Sequence, residues 1–255
     1  MASVPCRMMA NVQEQDWFKT WFDTSYYHVL YANRDHKEAA AFIDRLVLDL
    51  GLKPGDHVMD LACGKGRHAL HLASKGFKVT GLDLSANSIN SLLDHNNDLI
   101  HFEQWDMRDA YRKGDFDAVF NLFTSFGYFD DTHENLKVLE AIKAVTKPDG
   151  DILIDYLNVK KALTLIDKEE HIHRKGIEFF TSKSLVNGCI IKKIKVKDGD
   201  HEKVYSESVQ ALTLQDFKEL IKKSGLKLIN TFGDYHLSPF DELRSPRLIL
   251  HMKKG

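Results

Sequence analysis

The chain has 255 residues, a formal net charge of −2 from 35 basic and 37 acidic side chains, and 43% hydrophobic residues. This length predicts one or two domains with a core large enough to need no metal or disulfide support. No apolar run approaches the roughly 18–20 residues that span a bilayer, and the N-terminus lacks the pattern of a secretory signal. The balanced charge gives no electrostatic basis for binding nucleic acid or a membrane. We therefore expect a cytoplasmic globular protein.

The first fifty residues are predicted to form a helical cover. Residues 17–31 hold seven aromatic side chains: Trp17, Phe18, Trp21, Phe22, Tyr26, Tyr27 and Tyr31. A helix is predicted over about 37–50, because apolar side chains recur there at helical spacing and Gly51 suits its C-terminal end. A turn at 53–56 follows, so we divide the chain into a cover, 1–50, and a main domain, 51–255.

Residues 57–156 alternate between short apolar runs and helical patterns. The predicted strands are 57–62, 78–82, 100–105, 116–122 and 151–156. The predicted helices are 67–74, 85–95 with Ser85 as the N-cap, and 133–146. This alternation predicts parallel strands joined by crossover helices, with a sheet that is covered on both faces.

After residue 156 the pattern becomes that of antiparallel strands. Predicted strands at 177–181, 189–197 and 204–211 are joined by turns at 187–188 and 198–200, within an insertion at 157–211. Thr213 then begins a capping-box pattern for a helix that ends at Ser224-Gly225. Two last strands are predicted at 227–233 and 247–252.

The most informative stretch is VMDLACGKGRHA, residues 58–69, in which a predicted strand ends in glycines and a helix begins at once. Glycines allow a sharp turn and let a ligand approach the backbone without meeting a Cβ, while a helix N-terminus attracts anionic groups. Gly64 and Gly66 also fit the dinucleotide fingerprint G-x-G-x-x-G/A. Asp83 ends the second strand, where either class of adenosine cofactor uses a carboxylate to hold ribose. These residues alone leave both cofactor classes open.

Asp60, four residues before Gly64, and the segment 104–107 (QWDM) separate the two classes. With them the chain resembles the class I S-adenosylmethionine-dependent methyltransferases over about residues 56–156, and in outline over the last two strands. The first motif of that family, acidic-x-Gly/Ala-x-Gly-x-Gly, reads DLACGKG here, with Ala62 where many members have glycine. The resemblance implies an α/β, doubly wound, seven-stranded, mostly parallel sheet of the Rossmann-like methyltransferase type. The last strand would be antiparallel, with an N-terminal helical cover and a small antiparallel β insertion on the substrate side.

The resemblance also implies cofactor roles for individual residues. Asp83 would hold the ribose, Leu84 would pack on the adenine, and Asp106 would take the adenine amine with the Met107 backbone nearby. Asn121 would lie beside the methionine half. The predicted set that binds S-adenosyl-L-methionine is Asp60, Ala62, Gly64, Gly66, Arg67, Asp83, Leu84, Asp106, Met107, Asn121, Tyr31 and Arg34.

Two aromatic segments, 26–35 and 123–129, could border the methyl acceptor. If the first is helical, Tyr27, Tyr31 and Arg34 share one face, which would close over the cleft. Each segment could equally be structural, the first as a helix packed at the sheet edge and the second as a buried aromatic cluster. The candidate catalytic residues are Tyr27, His28 and Tyr128.

We therefore expect an enzyme of class EC 2.1.1.- that transfers a methyl group to a small-molecule acceptor. Residues 121–124 read NLFT rather than the Asn/Asp-Pro-Pro-Tyr/Phe motif of many enzymes that methylate nucleic acids. Histidines and cysteines lack metal-ligand spacing, so no metal is expected. The alternatives are a non-catalytic cofactor-binding protein and a nicotinamide-dependent oxidoreductase. Tyr156 and Lys160 resemble the Tyr-x-x-x-Lys pair of short-chain dehydrogenases, but the glycine loop of that family is missing.

Overall fold

The computed structural model describes residues 17–32, 36–112, 115–129 and 131–255. Its strands are β1 His57–Leu61, β2 Lys78–Asp83, β3 Ile100–Gln104, β4 Phe116–Asn121, β5 Thr146–Leu157, β6 Glu169–Arg174, β7 Ile177–Val186, β8 Cys189–Asp198, β9 His201–Gln210, β10 Leu226–Phe232 and β11 Arg247–Lys254. Its α-helices are α1 Trp17–Trp21, α2 Ser25–Leu30, α3 His36–Asp49, α4 Arg67–Ser74, α5 Ala86–Asn90, α6 Thr132–Val145, α7 Val159–Leu163 and α8 Leu214–Ser224. A 3₁₀ turn spans Leu93–His95.

The central sheet has seven strands in the order β10-β11-β5-β4-β1-β2-β3. Strand β11 runs antiparallel to both of its neighbours, and the other pairs are parallel. This confirms the predicted α/β class and the antiparallel last strand. After β1 the chain continues to β2, which lies on one side of β1 in the sheet. It later returns to β4, which lies on the other side of β1. Ligands of open α/β sheets bind at such a switch point, outside the carboxyl ends of the strands.

The second sheet has four antiparallel strands in the order β6-β7-β8-β9. The turns expected at 187–188 and 198–200 join its longest pairs. Strand β6 was not predicted, because its sequence EEHIHR lacks an apolar alternation and it pairs with β7 alone, as an edge strand. The sheet lies within the predicted insertion, and we call it the small sheet.

One predicted helix, 85–95, is wrong in extent. Ser85 does cap α5, since its hydroxyl accepts the Ser88 N–H, but the helix ends at Asn90. A separate 3₁₀ turn follows. The sequence of α5, ANSIN, is rich in Asn and Ser, which favour caps and turns over helix interiors.

Apolar side chains fill both faces of the central sheet. Helices α3 and α4 cover one face, with Ile43, Leu46 and Leu72 fully buried. The other face is covered by α6, α8, α1 and the small sheet, whose Phe179 and Ile194 belong to the same buried cluster. The small sheet and α1 are therefore part of the core on the side that carries the β4–α6 connection.

Tyr156 lies inside β5 and not at a helical catalytic position. Its side chain is fully buried and its hydroxyl donates a hydrogen bond to the Gln210 carbonyl. Burial raises its pKa above the ordinary range of a tyrosine. Both the burial and the raised pKa are unsuited to the proton transfer that the dehydrogenase pair performs.

Across the described ranges, no helix combines the length and apolar character that crossing a bilayer requires.

We predict that Tyr156→Phe lowers the free energy of unfolding by about 0.5–1.5 kcal/mol, the usual net value of a hydrogen bond. The methyl transfer expected from the sequence should stay within twofold of the parent protein in the folded variant, because the hydroxyl is fully buried and donates to a main-chain carbonyl. Urea unfolding and initial rates measure the two effects. A tenfold loss of activity without loss of folding would give this hydroxyl the catalytic role that its burial argues against.

Candidate active site

The connection between β1 and α4 is built from left-handed backbone. Ala62, Gly64 and Gly66 have φ values of 62°, 55° and 70°. A Cβ added to Gly64 would meet nothing within 4 Å, whereas one on Gly66 would lie 3.0 Å from Phe102 Cζ. Gly64 therefore leaves space for a ligand, while Gly66 is required by core packing. The sequence predicted both glycines to face a ligand, and of the two only Gly64 lines the cavity.

The carboxylate of Asp83 joins this glycine loop to the next one. One oxygen accepts the Gly64 N–H at 2.7 Å and the other accepts the Ser85 N–H at 2.8 Å. Burial raises the pKa of Asp83, and the two backbone hydrogen bonds partly oppose that rise by favouring the ionised form. The β1–α4 connection and the β2–α5 connection are thus both bonded to the Asp83 carboxylate.

Asp60 lies behind the glycine loop. Its carboxylate is 1% exposed and accepts the Ala69 N–H at 3.1 Å. Burial raises its pKa to about 7. The sequence predicted that the N–H groups at the start of α4 would be available to a ligand. One of them, that of Ala69, is instead bonded to the Asp60 side chain. Asp60 positions the loop from within the core.

The glycine loop and the β2–α5 connection border a cavity of about 310 Å³. Predicted residues that line it are Ala62, Gly64, Arg67, Asp83, Leu84, Asp106, Met107, Tyr27, His28, Tyr31 and Tyr128. Among the described residues that were predicted, Asp60, Gly66 and Asn121 are not part of the lining. Asn121 is fully buried and donates from Nδ2 to the Leu61 carbonyl. Arg34 lies outside the described residues.

Asp106 is oriented by an arginine that sequence analysis did not identify. Arg108 donates from Nη2 to one Asp106 oxygen at 2.6 Å and from Nε to the other at 3.0 Å. Its Nη1 also donates to Glu134 at 2.9 Å, at the start of α6. A two-pronged pair of this kind fixes the plane of the carboxylate. Asp106 therefore enters the cavity wall in a defined orientation.

The segment after β4 is strained and held by a buried ion pair. Phe123 and Thr124 have φ values of 68° and 61°, which are unusual for residues other than glycine. Asp155, fully buried, accepts the Phe123 N–H at 2.8 Å and pairs with Arg247 at 2.7 Å. Arg247 also donates to the Thr124 hydroxyl at 2.7 Å. Asp155 is one of three aspartates in β5, and nothing local in the sequence singles it out or links it to Arg247.

Phe123 is also held from the cavity side. The guanidinium carbon of Arg67 lies 4.4 Å from the centroid of its ring, within the range of a cation–π contact.

Aromatic rings in contact with one another form part of the cavity wall. The Phe22 ring lies 4.9 Å from that of Tyr27 and 5.3 Å from that of Tyr128, measured between centroids. The Tyr128 hydroxyl donates to the Thr124 carbonyl, so this ring is anchored to the strained segment. His28 lines the same cavity. We call Phe22, Tyr27 and Tyr128 the aromatic wall.

The segment that carries Phe22 and Tyr27 of this wall, residues 17–32, is attached to the small sheet. Tyr31 donates from its hydroxyl to Glu207 at 2.8 Å and accepts from Lys192 at 2.9 Å. Trp21 Nε1 also donates to Glu207, at 2.8 Å. We call residues 17–32 the arm. Tyr31 lines the cavity, as expected, and its hydroxyl is bonded to the small sheet.

A sequence model described as a methyltransferase domain matches residues 58–150. The dTDP-3-amino-3,6-dideoxy-alpha-D-glucopyranose N,N-dimethyltransferase of Streptomyces fradiae is 33% identical over 122 residues, covering 48% of this chain and 47% of that protein. The glycine/sarcosine N-methyltransferase of Parasynechococcus marenigrum is 27% identical over 206 residues, or 76% of this chain and 70% of the relative. Among solved structures, an S-adenosylmethionine-dependent methyltransferase from Clostridium acetobutylicum matches with a TM-score of 0.75 at 19% identity, covering 90% of this chain and 96% of that one. The chain thus spans about half the length of the first relative and shares the fold of the last.

We predict that Gly64→Ala weakens the binding of S-adenosylhomocysteine at least tenfold, because the new methyl group enters the space that the loop leaves open. Gly199→Ala is the matched control. Gly199 has a φ of 56° and open space around an added Cβ, but it lies in the β8–β9 turn, away from the cavity. Both variants carry the same backbone strain, so equal loss of affinity in calorimetry would contradict this role of Gly64.

Proposed function

We propose that this chain, a member of the class I S-adenosylmethionine-dependent methyltransferases, methylates the amine of a small-molecule acceptor. The observation that carries the proposal is that the glycine loop, Asp83 and the aromatic wall line one and the same cavity. The arm would form the acceptor side, and the insertion 157–211, which contributes no residue to the lining, would hold the arm through Glu207 and Lys192. With no charge excess to attract nucleic acid, the enzyme would act in the cytoplasm on a diffusible substrate.

The cavity fits the cofactor at several points. Gly64 leaves open space where a side chain would intrude, and the carboxylate of Asp83, which lines the cavity, would accept ribose hydroxyls. Leu84 and Met107 add apolar surface for an adenine ring. The bound cofactor supplies an electrophilic methyl group on a sulfonium. The protein contributes alignment, which for such a displacement is the largest part of catalysis.

The aromatic wall supports an amine as the acceptor. Faces of Phe and Tyr rings attract cations by about 0.5–2 kcal/mol, and both a sulfonium and a methylated ammonium product are cations. The wall brings three rings together on one side of the cavity. The two relatives described above are both named as N-methyltransferases, one of an amino sugar and one of amino acids.

An amine attacks only when it is neutral, so the site needs a group that accepts its proton. His28 lines the acceptor side of the cavity, beside the aromatic wall. An imidazole is the side chain best matched to proton transfer near neutral pH. We assign His28 as the general base, with Tyr27 and Tyr128 confining the acceptor.

We predict that His28→Gln lowers kcat/KM for amine acceptors at least tenfold at pH 7. The loss should shrink toward pH 10, because the amine is then already neutral and needs no base. Transfer of a radiolabelled methyl group to a panel of small amino sugars and amino acids measures this, with the product identified by mass spectrometry.

His95→Gln is the control for that experiment, since His95 is exposed and lies in the 3₁₀ turn. A loss that stays constant with pH would argue against a base at residue 28. Methylation at oxygen would overturn the amine assignment itself.

A further inference from the structure

Asp23, between α1 and α2, binds the arm to the start of α5. Its Oδ1 accepts the Ser85 hydroxyl at 2.6 Å and the Asn87 N–H at 3.2 Å. Its Oδ2 accepts the Asn87 side-chain amide at 2.6 Å. Three donors, one on Ser85 and two on Asn87 in the first turn of α5, therefore converge on one carboxylate of the arm.

Ser85 connects this carboxylate to the one in the cofactor site. Its backbone N–H donates to Asp83 at 2.8 Å, while its hydroxyl donates to Asp23. The hydroxyl oxygen also accepts the Ser88 N–H and so caps α5. Because Ser85 is buried and bonded on three sides, a displacement of Asp83 and a displacement of Asp23 are mechanically linked.

The position of Asp23 in the arm gives this link a function. Phe22, its neighbour, and Tyr27, four residues on, belong to the aromatic wall. Other arm side chains bond to the small sheet: Tyr26 donates to Asp198 at 3.0 Å and Trp21 to Glu207. Asp23 thus ties the wall to the cofactor loops, while those side chains tie it to the small sheet.

We propose that Asp23 is a positioning residue that couples the cofactor site at Asp83 to the aromatic wall through Ser85. A ligand that donates hydrogen bonds to Asp83 lessens the repulsion between the two carboxylates that share Ser85, and so stabilises the arm in place. The coupling is reciprocal, so an arm held by Asp23 also tightens the cofactor site. The acceptor site is then complete only after the cofactor has bound.

The test compares Asp23→Ala with Tyr26→Phe, which removes a hydrogen bond from the same arm on its other side. We expect Asp23→Ala to weaken S-adenosylhomocysteine binding at least fivefold in calorimetry and Tyr26→Phe to leave it within twofold. In hydrogen exchange, saturating S-adenosylhomocysteine should protect amides 24–31 in the parent and in Tyr26→Phe, but not in Asp23→Ala. Asp23→Asn, which keeps an acceptor for Ser85, should recover at least half of the lost affinity on a logarithmic scale.

Equal losses in Asp23→Ala and Tyr26→Phe would show that Asp23 only fixes the arm, and parent-like affinity in Asp23→Ala would also overturn the coupling. Thermal unfolding shows whether each variant is folded. If Asp23→Ala is unfolded, the affinity of Asp23→Asn is compared with that of Tyr26→Phe instead. The proposal rests on the proposed function only for the identity of the wall as an acceptor site. Neither readout needs an acceptor, so a failure to methylate amines would leave this test intact.

Discussion

The carboxylate of Asp83 is held between two backbone N–H groups, from Gly64 and Ser85, at the edge where β1 and β2 end. Burying a charge is costly unless hydrogen bonds compensate for lost water, and these two bonds supply part of that compensation. Through them a single acid joins the glycine loop to the β2–α5 connection, just beyond the last β1–β2 hydrogen bond, from the Cys63 N–H to the Leu82 carbonyl. The cavity, the capping of α5 and the attachment of the arm through Asp23 all depend on that link.

The residues that line and support the cavity come from two parts of the chain. The glycine loop, Asp83 and Asp106 all lie within residues 58–150, the part that matches the methyltransferase domain. The arm, the small sheet, Asp155 and Arg247 lie outside it. A strained Phe123-Thr124 segment joins the two parts, since it follows β4 but is held by the Asp155–Arg247 pair. The matched part thus supplies the glycine loop, Asp83, Asp106 and Tyr128, and the parts outside it supply the rest of the aromatic wall and the ion pair that holds Phe123.

Local patterns predicted what is set locally. Helix α4 has the predicted bounds, because the glycine turn before it and the apolar spacing within it are both contained in a dozen residues. Strand β6 was missed because an exposed edge strand needs no apolar alternation. The different roles of Gly64 and Gly66 depend on Phe102, a residue from β3, and no spacing rule contains it. Asp23 and Arg247 were missed for the same reason, since their partners are 62 and 92 residues away along the chain.

The most direct measurement is a double comparison on Asp83. Calorimetry would compare S-adenosylhomocysteine with its 2′,3′-dideoxyribose analogue, on the parent enzyme and on Asp83→Asn. Hydrogen bonds to a charged group contribute about 1.5–3 kcal/mol, so the parent should lose roughly tenfold to a hundredfold in affinity for the analogue. The variant, which has lost the charge, should discriminate less than threefold. Equal discrimination by the two proteins would show that the ribose hydroxyls do not bind Asp83, and would contradict the account of this site.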